Sequence, residues 1–231
     1  PASPAPVPYA MHIGLQADSA SGGNLTISGN QGAAEAIVNQ ASNQVQTSGS
    51  SFNNVAAVLE NQQTVNKGDA SALTLVNLGM TGKTTAGTDT VRSNGNEVVI
   101  SNNVFSANAS QNQASNSMVL KADGAIQTIT GINGTPLGPL SSEQIANGNT
   151  SAQTEMNILT GSSTAAAPSG NTTVSNNQAT SMARANVATN QLTLSAGTMG
   201  TDVHASLGNK QTNNGAVNAA TSLSIPAGAA T

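Results

Sequence analysis

The side chains whose types and spacing could do chemistry in this chain are amides, and the chemistry is hydrogen bonding. Asn-x-Ala-x-Asn occurs three times, as NQASN at Asn39 to Asn43 and at Asn112 to Asn116, and as NVATN at Asn186 to Asn190. The copies start 73 and 74 residues apart. A side-chain amide is both donor and acceptor. Identical amides stacked at the spacing of neighbouring strands, about 4.8 Å, can therefore bond along their own axis. Asn39, Asn112 and Asn186 form one candidate column, and Asn43, Asn116 and Asn190 a second. Gln31, Gln63, Gln144, Gln178 and Gln211, each at the fifth position of a related segment, are candidates for another column.

Groups suited to other chemistry do not assemble into a motif. Gly82, Lys83 and Thr84 match the end of a phosphate loop, but its first glycine should fall at Asn77. The adjoining segment, AGTDTVRSNGN, is no helix that could offer its N-terminus to a phosphate. Asp202-x-His204 has only His12 as a further imidazole, and no serine sits in a nucleophile elbow. Lys67 to Asp69 lacks the glycine pattern of calcium-binding coils. The ten acids are scattered, and a polysaccharide-cleaving β-helix would also want aromatic platforms and basic residues. Five Asn-x-Ser/Thr sequons, at Asn24, Asn108, Asn133, Asn149 and Asn171, are what so Asn- and Thr-rich a chain produces by chance. The reading is no enzyme, no cofactor and no metal.

The amides need elements that hold them in register. Extending the three motifs gives long units beginning at Ile27, Ile100 and Val174, each with an Asn three residues on (Asn30, Asn103, Asn177). Each unit ends in an alternating pair, Val45 and Thr47, Met118 and Leu120, Leu192 and Leu194. A second kind of unit starts at Leu59, Leu140 and Leu207, with Gln63, Gln144 and Gln211 four residues on. It closes on Leu73-x-Leu75, Met156-x-Ile158 and Leu223-x-Ile225, with a two-residue deletion in the first copy. Six related segments thus alternate in two flavours. Within them the period is two: Asn39, Ala41, Asn43 and Val45 share one face, Gln40, Ser42 and Gln44 the other, as a strand requires. All eight prolines lie outside these cores, consistent with hydrogen-bonded ladders inside them. The segments between the cores, rich in Gly, Ser and Asn, read as turns.

The expected fold is all-β, a repetitive β-solenoid or a stack of cross-β layers. The expected organisation is a Pro-rich arm over 1–20 and double repeats over 21–99, 100–173 and 174–231. Either each segment is one coil, or two unlike segments make one layer and three layers stack. The alternation of flavours favours the second, because like then lies on like.

Composition agrees. Charged residues are 7% against roughly 25% in a typical domain, and aromatics are 1%, so the core must be thin. Six basic residues and a net charge of −4 leave no basic patch for nucleic acid. No apolar run is long enough to insert in a membrane as a helix. The start at Pro1 rather than Met, with PASPAPVP reading as an extended, polyproline-like leader or linker, points to a secreted product.

The repeat cores resemble subunits of bacterial functional amyloids, the curlin-like and Fap-type fibre proteins. The resemblance rests on SGGNLTISGNQ (Ser21 to Gln31) and SGNTTVSNNQ (Ser169 to Gln178), where SGN precedes alternating aliphatics and then Asn-Gln. The chain differs from Fap-type subunits in having no terminal Cys pair. What the resemblance implies is a self-assembling homopolymer, extracellular at the bacterial cell surface, acting as biofilm scaffold or adhesion fibre. The subunits would join by stacking β-edges or by exchanging the N-terminal strand, and matrix polysaccharide is a further expected partner. The alternatives are a soluble β-helical adhesin stalk or glycan-binding module and, more remotely, the polysaccharide-cleaving enzyme.

Overall fold

The computed structural model describes residues 9–17, 24–56, 59–80, 97–130, 140–160, 172–203 and 207–225. Among these residues every regular element is a strand. After β1 (Tyr9–Ala17), the chain runs three times through the same five-strand course. The first layer is β2 (Leu25–Ser28), β3 (Gln31–Gly49), β4 (Val55–Ala56), β5 (Leu59–Val65) and β6 (Ala70–Met80). The second is β7 (Val98–Ser101), β8 (Val104–Ala122), β9 (Ala125–Thr130), β10 (Leu140–Ala146) and β11 (Thr150–Thr160). The third is β12 (Thr172–Ser175), β13 (Gln178–Ser195), β14 (Thr198–Val203), β15 (Leu207–Asn213) and β16 (Val217–Ser224). Each strand pairs in parallel with its counterparts one layer away, giving the orders β2-β7-β12, β3-β8-β13, β4-β9-β14 and β5-β10-β15. The last column has a fourth member, β1-β6-β11-β16. A pair of unlike segments therefore makes one layer, and three layers stack.

Within a layer the two flavours face each other. Ile27 packs with Leu78 at one end, Ala34 and Ala36 pack with Ala70 and Ala72 in the middle, and Val45 packs with Leu59 at the other end. Numbers rise along one side as they fall along the other, so β2–β3 and β5–β6 run antiparallel across a shared core. Each layer is thus a flattened arch. Its core reads, end to end, as a cluster around Phe105 and Ile100, an alanine zone, an amide zone, and a second aliphatic cluster around Met118, Leu120 and Leu140. Phe105 is the one fully buried aromatic among the described residues, which is how a chain with three aromatics still closes a core.

Two local devices shape the arch. The corner between the short and long strands is turned by Gly29, Asn102 and Asn176, at φ of 71°, 57° and 54°. Glycine and asparagine enter this left-handed region most cheaply, which explains the Ser-Gly-Asn and Ser-Asn-Asn triplets. In the long strands the ladder skips Val38, Gln111 and Ala185. The inward parity changes there, from Ala34 and Ala36 to Asn39 and Asn43. The skipped residue stands at the same place in all three strands and the register is kept across it, so it is a kink common to the layers that carries the next segment to the opposite face.

Three expectations change. The closing pair of the first layer is Val76-x-Leu78, not Leu73-x-Leu75, because Val76 pairs with Met156 and Leu78 with Ile158. The turn after β5 holds one extra residue in that layer, and SALTLVNL carries apolar residues at both parities, so spacing alone did not fix the register. The supposed turns after the long strands contain strands of their own, β4, β9 and β14. The arm is also not free of the repeats, since β1 pairs with β6 over Tyr9 to Ala17. The prolines and Gly82, Lys83, Thr84 and His204 lie outside the described residues.

Candidate assembly site

The alternation of Asn, Ala and Asn after the kink aims both amides into the arch. Asn39 Nδ2 donates to Asn112 Oδ1 at 3.0 Å, and Asn112 Nδ2 donates to Asn186 Oδ1 at 2.7 Å. Asn43 donates to Asn116 at 2.9 Å and Asn116 to Asn190 at 2.8 Å. Asn112 and Asn116 are almost wholly buried. Each amide of the first column spends its other N–H across the arch, on the carbonyls of Thr64, Ile145 and Thr212. Those carbonyls need a donor, which fixes which amide atom is nitrogen. A third column stands at the corner, where Asn30 donates to Asn103 and Asn103 to Asn177, both at 2.8 Å.

The facing wall answers with glutamines. Gln144 Nε2 donates to Gln63 Oε1 at 2.7 Å, and Gln211 Nε2 donates to Gln144 Oε1 at 2.9 Å. Gln63 also donates to the Gln113 carbonyl, and Gln144 to the Val187 carbonyl, each one layer further on. Thr74 and Thr154 bridge layers in the same way, to the carbonyls of Ser106 and Thr180. The two walls thus run opposite ladders. Between side chains, the inward asparagines of the long strands donate toward the third layer, whereas Gln144 and Gln211 donate toward the first.

Gln31 and Gln178 do not belong to this column. They pair in register with Val104 of the middle layer, point outward and are exposed. With valine between them no amide ladder can form, and they lie in a different sheet from Gln63, Gln144 and Gln211. The shared fifth position reflects common repeat spacing, whereas the arch turns that position inward in one flavour and outward in the other.

Sequence reasoning missed two contributors. Gln111, fully buried at the kink, donates to the Asn149 carbonyl at 3.0 Å and to the Gly68 carbonyl at 3.4 Å, tying the β5–β6 and β10–β11 turns to the long strand. Its counterparts are Val38 and Ala185, so no repeat signal could mark it. The turn glycines Gly68, Gly148 and Gly215 form the second. A Cβ on Gly148 would overlap the Gly68 carbonyl oxygen, and one on Gly215 would overlap that of Gly148. Their shared place in the repeat, KGD, NGN and NGA, was the available signal.

On the outer surface one charged group spans all three layers. Glu143 accepts from Lys210 Nζ at 2.6 Å and from Gln62 Nε2 at 2.9 Å. These hydrogen bonds, with the Lys210 charge, hold its carboxyl below the usual carboxylate range. His12 is exposed on β1, and among the described residues no three His, Asp or Glu side chains converge.

The end faces complete the site. At the first-layer face, Asn30, Asn39 and Asn43 donate inward, and their Oδ1 atoms accept from no described residue. At the third-layer face no further layer lies beyond Gln211 among the described residues, and Thr221 turns instead to Ser181 Oγ at 3.0 Å. Leu207, Val217 and Leu223 are 47%, 42% and 48% exposed on that face, although their columns are buried one layer below. Comparison with protein-family models, curated proteins and solved structures returned no match.

Proposed function

We propose that the chain is a structural subunit of a self-assembling extracellular fibre, in which the third-layer face of one copy receives the first-layer face of the next. The observation that carries this reading is the complementarity of the two faces. The columns of Asn39, Asn43 and Gln63, each continued by an amide in all three layers, end at one face and are open in the opposite sense at the other. Asn186 Nδ2 of one copy would meet Asn39 Oδ1 of the next, as Asn112 meets Asn186 within the chain. Gln211 would gain the Gln40 carbonyl, the register equivalent of Gln113 and Val187. Open strand edges are templates for further pairing, and neutral amides stack without like-charge repulsion. The likeness to biofilm fibre subunits supports a location at the bacterial surface and a role as scaffold or in adhesion, with matrix polysaccharide as a further partner.

Negative-stain microscopy with sedimentation of the purified chain at micromolar concentration tests this. Filaments that give a reflection near 4.8 Å along their axis are expected. A chain that stays monomeric, without filaments, sinks the reading. One observation favours the second reading, a monomeric adhesin stalk: β1 already covers β6 on the first-layer face.

A further inference from the structure

We infer that β1 is a built-in competitor for the seat that β16 of a second copy must take, so that head-to-tail stacking proceeds only after β1 leaves β6. This rests on the fibre-subunit reading above.

The conflict follows from sheet order. In β1-β6-β11-β16, β1 lies one level outside the first layer. A copy stacked flush on that face brings its third layer to the same level, and its β16 to the same edge of β6. One edge takes one strand. The other four strands of the first layer carry no such cover among the described residues.

The seat is fitted to β1. Met11, Ile13 and Leu15 continue the columns of Thr74, Val76 and Leu78, and all three pack against the core. Beneath them the first layer has Gly32 where the other layers have Phe105 and Ala179. A Cβ on Gly32 would stand 2.8 Å from Met11 Cε and 3.1 Å from Ile13 Cδ1. The missing side chain makes the room that β1 fills.

The seat is nevertheless completed better by β16. Thr74 and Thr154 each donate to a long-strand carbonyl one layer on, at Ser106 and Thr180. The equivalent first-layer carbonyl belongs to Ala33. β1 places Met11, which has no donor, in that threonine column, whereas β16 places Thr221 there. Leu223 would likewise replace Ile13 in the column of Val76 and Met156. β1 is only half-buried and carries Gly14 in mid-strand. It is strong enough to cover the edge of a lone molecule and weaker than the strand that would replace it.

The chain has no cysteine, so cross-links report the exchange cleanly in the full-length protein. Asn77 and Ser224 share one column through Asn157. An Asn77→Cys, Ser224→Cys variant is expected to form interchain disulfides during assembly. Adding Ile13→Asn, which weakens β1 alone, should speed them about tenfold. A Gly14→Cys, Asn77→Cys variant pairs Cα neighbours on adjacent strands, within reach of a disulfide. Oxidised, it should stop growing on seeds, and reduction should restore growth. Filaments without the Asn77–Ser224 cross-link, or oxidised protein that grows at the reduced rate, overturn the competition and leave the fibre reading standing. A chain that stays monomeric and un-cross-linked even with Ile13→Asn overturns both.

Discussion

Asn112 hands one amide proton to Asn186 Oδ1 at 2.7 Å and the other to the Ile145 carbonyl at 3.0 Å. It also accepts from Asn39. A single buried side chain thus joins three layers along the stack and two walls across it. Asn112→Asp removes both donors and places a carboxylate in a closed site. The expected cost is about 3–5 kcal/mol at neutral pH, read from denaturant midpoints. Burial raises the pKa of such a carboxyl in the folded state. The deficit should therefore be full above that raised value and shrink as the pH falls toward the unfolded value, about 3.9.

Gln144→Ala and Gln178→Ala separate the true glutamine column from its sequence look-alike. Gln144 is fully buried, donates to Gln63 and Val187, and accepts from Gln211. Its loss should cost about 2–4 kcal/mol, through unpaired polar groups and a cavity. Gln178 is exposed, and its replacement should stay within about 0.5 kcal/mol. Equal effects in thermal unfolding would remove the distinction.

The turn glycines make a steric prediction. A Cβ on Gly148 overlaps the Gly68 carbonyl below it, whereas one on Gly14 meets nothing within 4 Å. Gly148→Ala should destabilise by about 2 kcal/mol or more as the layers shift apart. Gly14→Ala should be neutral or slightly stabilising, because it limits the unfolded chain. Calorimetric melts of the two variants provide the comparison.

Glu143 supplies a pH dependence with a defined sign. Its folded pKa is lowered by the hydrogen bond from Lys210, by that from Gln62 and by the Lys210 charge. Its contribution is thus present above the ordinary carboxylate range and is lost as the pH falls through the lowered folded value. The pair is exposed, so added salt should weaken it. Glu143→Gln should flatten that part of the stability-versus-pH curve, measured by urea midpoints across the acid range.

The repeat columns were legible because a ladder needs identical amides at fixed register, and that need writes itself into the sequence as Asn-x-Ala-x-Asn. Face alternation in the long strands was legible for the same reason. Features made once were not. Gln111 acts alone in the middle layer. The register of Val76 and Leu78 hides in a segment that is apolar at both parities, displaced by one extra residue in the preceding turn. β9 was concealed in ADGAIQTIT, where turn residues precede a run whose alternation, Ile126 and Ile129 buried, is short and imperfect. Gln31 and Gln178 show the reverse error: a position repeated faithfully along the chain, yet turned outward by the geometry of its own wall.

Three layers in one chain have a kinetic meaning. Cross-β stacks usually begin slowly, because several separate strands must meet before any rung is supported from both sides. Here the middle rung is supported on both sides by the same molecule, so folding itself supplies the nucleus, and the loop-closure cost of gathering the rungs grows only slowly with length. For a chain that adds to its own kind, growth should therefore need no concentration-dependent lag. Any delay that remains would be first order, set by an event inside one molecule, and would be unchanged by dilution.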